Sequence, residues 1–188
     1  MYKLELSEIF TCQLDREAYA FLVQYHNLVE WWRTKVNETH HSYSELRNNF
    51  YGQWRQDWKD YNSQHAQTSS LTAYNISKTL KQQATTKDVG VGRSFAVISP
   101  RIAKITDTKL VFPTQLAKKA CVQLNPKTTT QKILLEQAQN GYWKIGQTFL
   151  TEKWCTIPLT RCLDLTSNTK EDPRIEEILK TLYQRTSV

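Results

Sequence analysis

The sequence predicts an α+β fold: a β-barrel or strongly bent antiparallel sheet, with a helical insertion after the first strand and a short C-terminal helix. Three observations predict it. Tyr2–Phe10 alternates apolar and polar residues; the next long stretch carries apolar residues at helical spacing; and from Ser94 the period returns to two. An N-terminal strand left alone would expose its backbone groups, so it is expected to join the later strands.

In the opening strand Tyr2, Leu4, Leu6 and Phe10 share one side, and Lys3, Glu5 and Ser7 the other. Ala18, Phe21, Leu22, Tyr25, Leu28, Val29, Trp32 and Val36 then recur at helical spacing, which predicts a helix from Asp15, its cap, to about Glu38. His40-His41 mark the break. Ser42 and Glu45 form a capping-box pattern, and Tyr43, Leu46, Phe50, Trp54, Trp58 and Tyr61 continue on one face to about Asp60. Asn62–Ser70 reads as a polar loop, Ser70 as the cap of a third helix to Gln83, and Ala84–Arg93 as a linker. The strands expected next are Ser94–Ile98, Ile102–Ile105, Lys109–Phe112, Cys121–Leu124, Lys132–Gln137, Thr148–Leu150, Trp154–Leu159 and Cys162–Leu165, with turns at Asp107-Thr108 and Asn140-Gly141. Asp172-Pro173 opens a helix from Arg174 to about Gln184. The organisation expected is a sheet domain of 1–11 and 94–165, a helical insertion with its linker at 12–93, and a polar tail with a helix at 166–188.

The 188 residues include 25 basic and 18 acidic ones, a net charge of +7. The excess is local. Met1–Ser70 has 7 basic and 9 acidic residues, Leu71–Lys153 has 13 and 4, and Trp154–Val188 has 5 and 5. Such asymmetry is the footprint of a polyanion partner. The candidate contacts are Lys78, Lys81, Lys87, Arg93, Arg101, Lys104, Lys109, Lys118, Lys119, Lys127, Lys132 and Lys144, joined by Arg47, Arg55 and Lys59 on the second helix. Most are lysines, point charges suited to neutralising a backbone rather than reading bases.

Other motifs point to no chemistry. Four cysteines without a CxxC pair fit reduced thiols in a cytoplasm, and Cys155 and Cys162 read as buried. His40-His41 lack supporting ligands, so no metal is expected. Gly90-Val91-Gly92-Arg93 departs from both phosphate-loop patterns. The aromatic run of the second helix has the spacing of core residues. No stretch is long and apolar enough for a membrane span or a signal peptide. No catalytic residue, cofactor or enzymatic activity is expected.

Several stretches resemble the N-terminal, wedge and recognition part of TnpB-like RNA-guided nucleases, relatives of the type V CRISPR effectors. They are the opening strand followed by a helix with Asn27-Leu28-Val29-Glu30-Trp31-Trp32, then Ser70–Leu80, Ile105–Pro113, Tyr142–Leu150 and Trp154–Leu165. The resemblance implies a wedge-like barrel with a helical insertion that together hold a guide RNA and its duplex with target DNA. Family members continue into a RuvC-like nuclease domain. Thr166–Val188 is instead polar with a short helix, so the resemblance implies RNA binding without cleavage, either beside a separately encoded RuvC-like nuclease subunit or as a truncated remnant. Two other functions fit the same residues: a DNA-binding transposition accessory or regulator, and a protein-interaction or virus-structural module.

Overall fold

The structure, a computed structural model, describes residues 3–38, 42–83, 95–116 and 118–164. The expected C-terminal helix, the Ala84–Arg93 linker and the His40-His41 break lie outside them.

Strand β1 (Lys3–Gln13) buries Phe10 and Cys12 and exposes Glu5, Ser7, Ile9, Thr11 and Gln13, as alternation requires. Helix α1 (Arg16–Glu38) starts at Asp15, whose Oδ1 accepts a hydrogen bond from the Ala18 amide at 3.0 Å. All eight apolar residues predicted for its inner face are buried. Helix α2 (Tyr43–Asp57) has the predicted capping box, with the Ser42 amide donating to Glu45 Oε2 at 2.8 Å.

Helix α3 (Ser63–Gln83) corrects the expectation of a loop over Asn62–Ser70. Its cap is Asn62, whose Oδ1 accepts from the Gln64 amide at 2.9 Å, and not Ser70. The polar stretch is helical because its hydroxyls bond back to the helix: Thr68 Oγ1 donates to the Gln64 carbonyl and Ser69 Oγ to that of His65. With those hydroxyls satisfied, Thr68, Ser69 and Ser70 are buried alongside His65, Ala66, Thr72 and Ala73, and α3 packs along α1.

The strands follow: β2 (Phe95–Ile98), β3 (Lys104–Thr106), β4 (Lys109–Pro113), β5 (Lys119–Gln123), β6 (Lys144–Ile145), β7 (Thr148–Thr151) and β8 (Trp154–Asp164). The stretch Lys132–Gln137, expected as a strand, lies within helix α4 (Thr129–Gln139). Thr128 caps it by accepting from the Gln131 amide. Gly141, at φ +79°, ends it with Gly141 N–H to Ala138 O and Tyr142 N–H to Gln137 O, a Schellman closure. The Asn140-Gly141 turn therefore ends a helix rather than joining two strands.

Two antiparallel sheets result. One has the order β1-β8-β7-β2, with β6 also paired to β8; the other is β3-β4-β5. The two sheets do not close into a barrel, which corrects that form of the expectation. Helix α1 lies against α3 and reaches β2, β5 and β7, so helices fill the space that the sheets would have to curl around. One apolar cluster joins the helices and both sheets.

In the larger sheet Ile145 pairs with Leu159, but Phe149 pairs with Thr156, so β6 and β7 form one strand with an extra residue between them. The bulge faces Pro158, whose carbonyl accepts from the Gly146 amide and which has no N–H to offer a regular ladder. A Cβ on Gly146 would lie 3.1 Å from Pro158 Cβ and 3.2 Å from its carbonyl oxygen.

Candidate nucleic-acid interface

The three-stranded sheet has a buried and an open face. Ile105, Leu110, Val122, Phe112 and Ala120 turn into the core. Alternation then forces Lys104, Thr106, Lys109, Val111, Pro113, Lys119, Cys121 and Gln123 onto the other side. Lys104 pairs with Val111, Thr106 with Lys109, and Pro113 with Lys119, which places the three lysines on one surface. Lys104 and Lys109 are diagonal neighbours, about 7–8 Å apart at Cβ. Lys119 stands roughly 12–14 Å from each by strand spacing.

Turn geometry fixes this register. Asp107 and Thr108 have φ of 47° and 61°, so β3 and β4 are joined by a two-residue turn of the type that matches strand twist. Gln123 on β5 donates from Nε2 to the Thr108 carbonyl at 3.2 Å and to its hydroxyl at 3.1 Å, clamping the turn. The Gln123 amide donates to Asp15 Oδ2, which ties β5 to the start of α1. Behind the sheet, the buried His65 ring bonds through Nε2 to the Pro113 carbonyl at 2.7 Å.

Electrostatically the face is mainly positive, with Asp15 at its rim beside the Gln123 amide. None of β3, β4 and β5 contains an acid; the nearest in sequence is Asp107 in the turn. Lys104, Lys109 and Lys119 are exposed, and their side chains have no hydrogen-bond or ion-pair partner among the described residues. Cations held by no protein carboxylate keep their full attraction for an outside anion.

The remaining predicted contacts are dispersed. Lys118 is exposed just before β5, at the edge of the lysine face, and Arg101 is exposed in the turn between β2 and β3. Lys127 and Lys132 are exposed at the start of α4, and Lys144 on β6 in the other sheet. Lys59 and Lys78 are exposed on or beside the helices. Arg55 serves the fold, donating from Nη1 to the Tyr61 carbonyl at 2.9 Å and lying over the Trp54 ring, while Arg47 lies over Tyr51. Lys81 belongs to α3; Lys87 and Arg93 lie outside the described residues. Thr106 and Gln123, not singled out from sequence, share the lysine face; the Thr106 hydroxyl can bond sugar or phosphate oxygens, while the Gln123 side chain holds the turn at Thr108. Their signal was the strict alternation of β3 and β5.

The aromatic run of α2 is packed, as its spacing predicts: Trp54 is fully buried and stacks on Tyr51, and Trp58 meets Tyr61 edge-on. Of the cysteines, Cys155 is buried opposite Cys12, but Cys162 is exposed, because it falls on the outer side of β8. Among the described residues, no helix is long and apolar enough to cross a membrane. No protein-family model matches the chain, and no curated protein matches it.

Proposed function

We propose that this chain is a non-catalytic RNA-binding protein, and that it holds structured RNA through the lysine face of the three-stranded sheet. The observation that carries the reading is the grouping of Lys104, Lys109 and Lys119 on the open side of three strands that contain no acidic residue. Lysines on a stiff sheet suit backbone recognition, in which A-form shape and phosphates are contacted and sequence is not read. The resemblance to the wedge and recognition part of TnpB-like proteins supports RNA over DNA and supplies the partners to test: a guide-type RNA, its target DNA, and a separately encoded RuvC-like nuclease subunit.

A retardation assay with a structured RNA at low salt tests the reading. The parent chain is expected to bind at micromolar concentration or below, and Lys104→Glu/Lys109→Glu/Lys119→Glu to bind at least tenfold more weakly. Failure of the parent to retard any structured RNA overturns the reading. Stronger competition by duplex DNA than by RNA would assign the face to DNA instead.

A further inference from the structure

The larger sheet also has an open side, which the lysine face does not explain. Its inner residues Cys12, Phe10, Ile157, Leu159, Leu150 and Ile98 are buried among the core residues that the helices supply. Its outer side carries three aromatic rings: Phe149 on β7 and Trp154 on β8, the two central strands, and Phe95 on β2. Phe149, within a central strand, is 39% exposed; Trp154, which opens β8 beside the turn, is 47% exposed, and Phe95, which opens the edge strand β2, is 36% exposed.

The register makes them contiguous. Phe149 pairs with Thr156, and Trp154 lies two residues before Thr156, so the two rings are diagonal neighbours. Phe95 pairs with Thr151, two residues beyond Phe149, which makes it the next diagonal neighbour on the other side. Diagonal spacing is about 7–8 Å, within reach of large rings. Thr11 pairs with Thr156 in the same row, and neither hydroxyl has a partner among the described residues. Lys144, opposite Thr160, stands on the same side and is likewise unpartnered. Lys153 is exposed in the turn between β7 and β8, and Glu5 and Glu152 stand at the corners.

We propose that Phe95, Phe149 and Trp154 form a stacking platform for the bases of a single-stranded RNA segment, separate from the lysine face. The inference rests on the reading that the chain binds RNA. Open antiparallel sheets backed by helices take unpaired bases in this way, with rings on the central strands stacking two or three of them. Stacking is indifferent to base identity, and alternating hydroxyls and a flanking lysine suit base edges and phosphates. The make-up of the face favours bases over a protein partner: among the described residues, Ile9 is its one exposed large aliphatic residue, Val97 beside Phe149 is buried, and Thr11, Thr151, Thr156 and Thr160 stand around the rings.

The test uses the full chain with an oligouridine of about twelve nucleotides, a duplex RNA of equal length, and an abasic strand with the same phosphates. The single strand is expected to quench tryptophan emission, and Trp154→Leu to remove most of that quench. Trp154→Leu and Phe149→Leu should each weaken single-strand binding about tenfold and leave duplex binding within twofold. Lys104→Glu/Lys109→Glu/Lys119→Glu should weaken the duplex instead. Thermal melting checks that the leucine variants fold; Trp154, the most exposed ring, decides the matter if Phe149→Leu does not. Equal binding of abasic and uridine strands overturns the proposal, as does equal loss of single-strand and duplex binding in the leucine variants. Shielding of Trp154 from iodide in the free chain also overturns it: a concentration-dependent shield would mean a second copy, a constant one the chain's own residues. If the parent binds duplex RNA but not the single strand, the platform fails and the lysine face stands. If it binds neither, both fail.

Discussion

His65 shows how one buried side chain joins the helical layer to the lysine face. Its ring is fully buried against Phe21, which leaves Nε2–H to donate to the Pro113 carbonyl and Nδ1 without a partner among the described residues. Burial pushes its pKa from 6.5 down to about 4, with the Pro113 bond opposing the shift. Between those two values the unfolded chain takes up a proton that the folded chain does not. Stability is therefore fully present above pH 6.5 and lost as the pH falls toward 4, by about 3 kcal/mol. Urea unfolding at pH 7.5 and 4.5 should show this loss, and His65→Gln should flatten it. Thr148 offers the opposite case, a fully buried hydroxyl on the inner face with no partner among the described residues. Thr148→Val should raise stability by about 1 kcal/mol in the same assay. Neither residue stood out in the sequence, because burial of a polar group depends on partners far along the chain: His65 reads as part of a polar loop until Phe21 and Pro113 surround it.

Elements were legible where local signals agreed and were misread where they competed. Helix α1 could be read almost to the residue, since its cap and eight apolar positions all fit one period. Helix α4 was hidden by its surroundings. Lys132–Gln137 is a short apolar run between strands, and the deciding signals were the Thr128 cap and the Gly141 terminator on either side. Gly141 should accordingly matter more than its exposure suggests. Gly141→Ala must hold φ at +79°, and the expected cost is about 1 kcal/mol, seen as a lower melting temperature. Gly146→Ala meets Pro158 across the bulge, where the backbone has little room to retreat, and should cost about 1–3 kcal/mol.

At the scale of the molecule, the order strand, helices, strands was visible in the change of period, as was the concentration of positive charge. The sequence could not show which lysines meet. That follows from register: Lys104 and Lys119 share a surface only because they pair with Val111 and Pro113, which lie two residues apart on β4. The consequence is measurable. The logarithm of RNA affinity should fall linearly with that of salt concentration, and removing the three lysine charges should flatten the slope by about 2 to 3. Lys59→Ala and Lys78→Ala, on the helical side, should leave it nearly unchanged. The pairing of β1 with β8 sets a further condition, one of timing. All eleven residues of β1 find their partners in β8, made about 140 residues later, so the first strand waits roughly 7–30 s on the ribosome for its mate. Until then its ladder groups are open to any passing strand, and the sheet is completed only after both helices and hairpins have been synthesised.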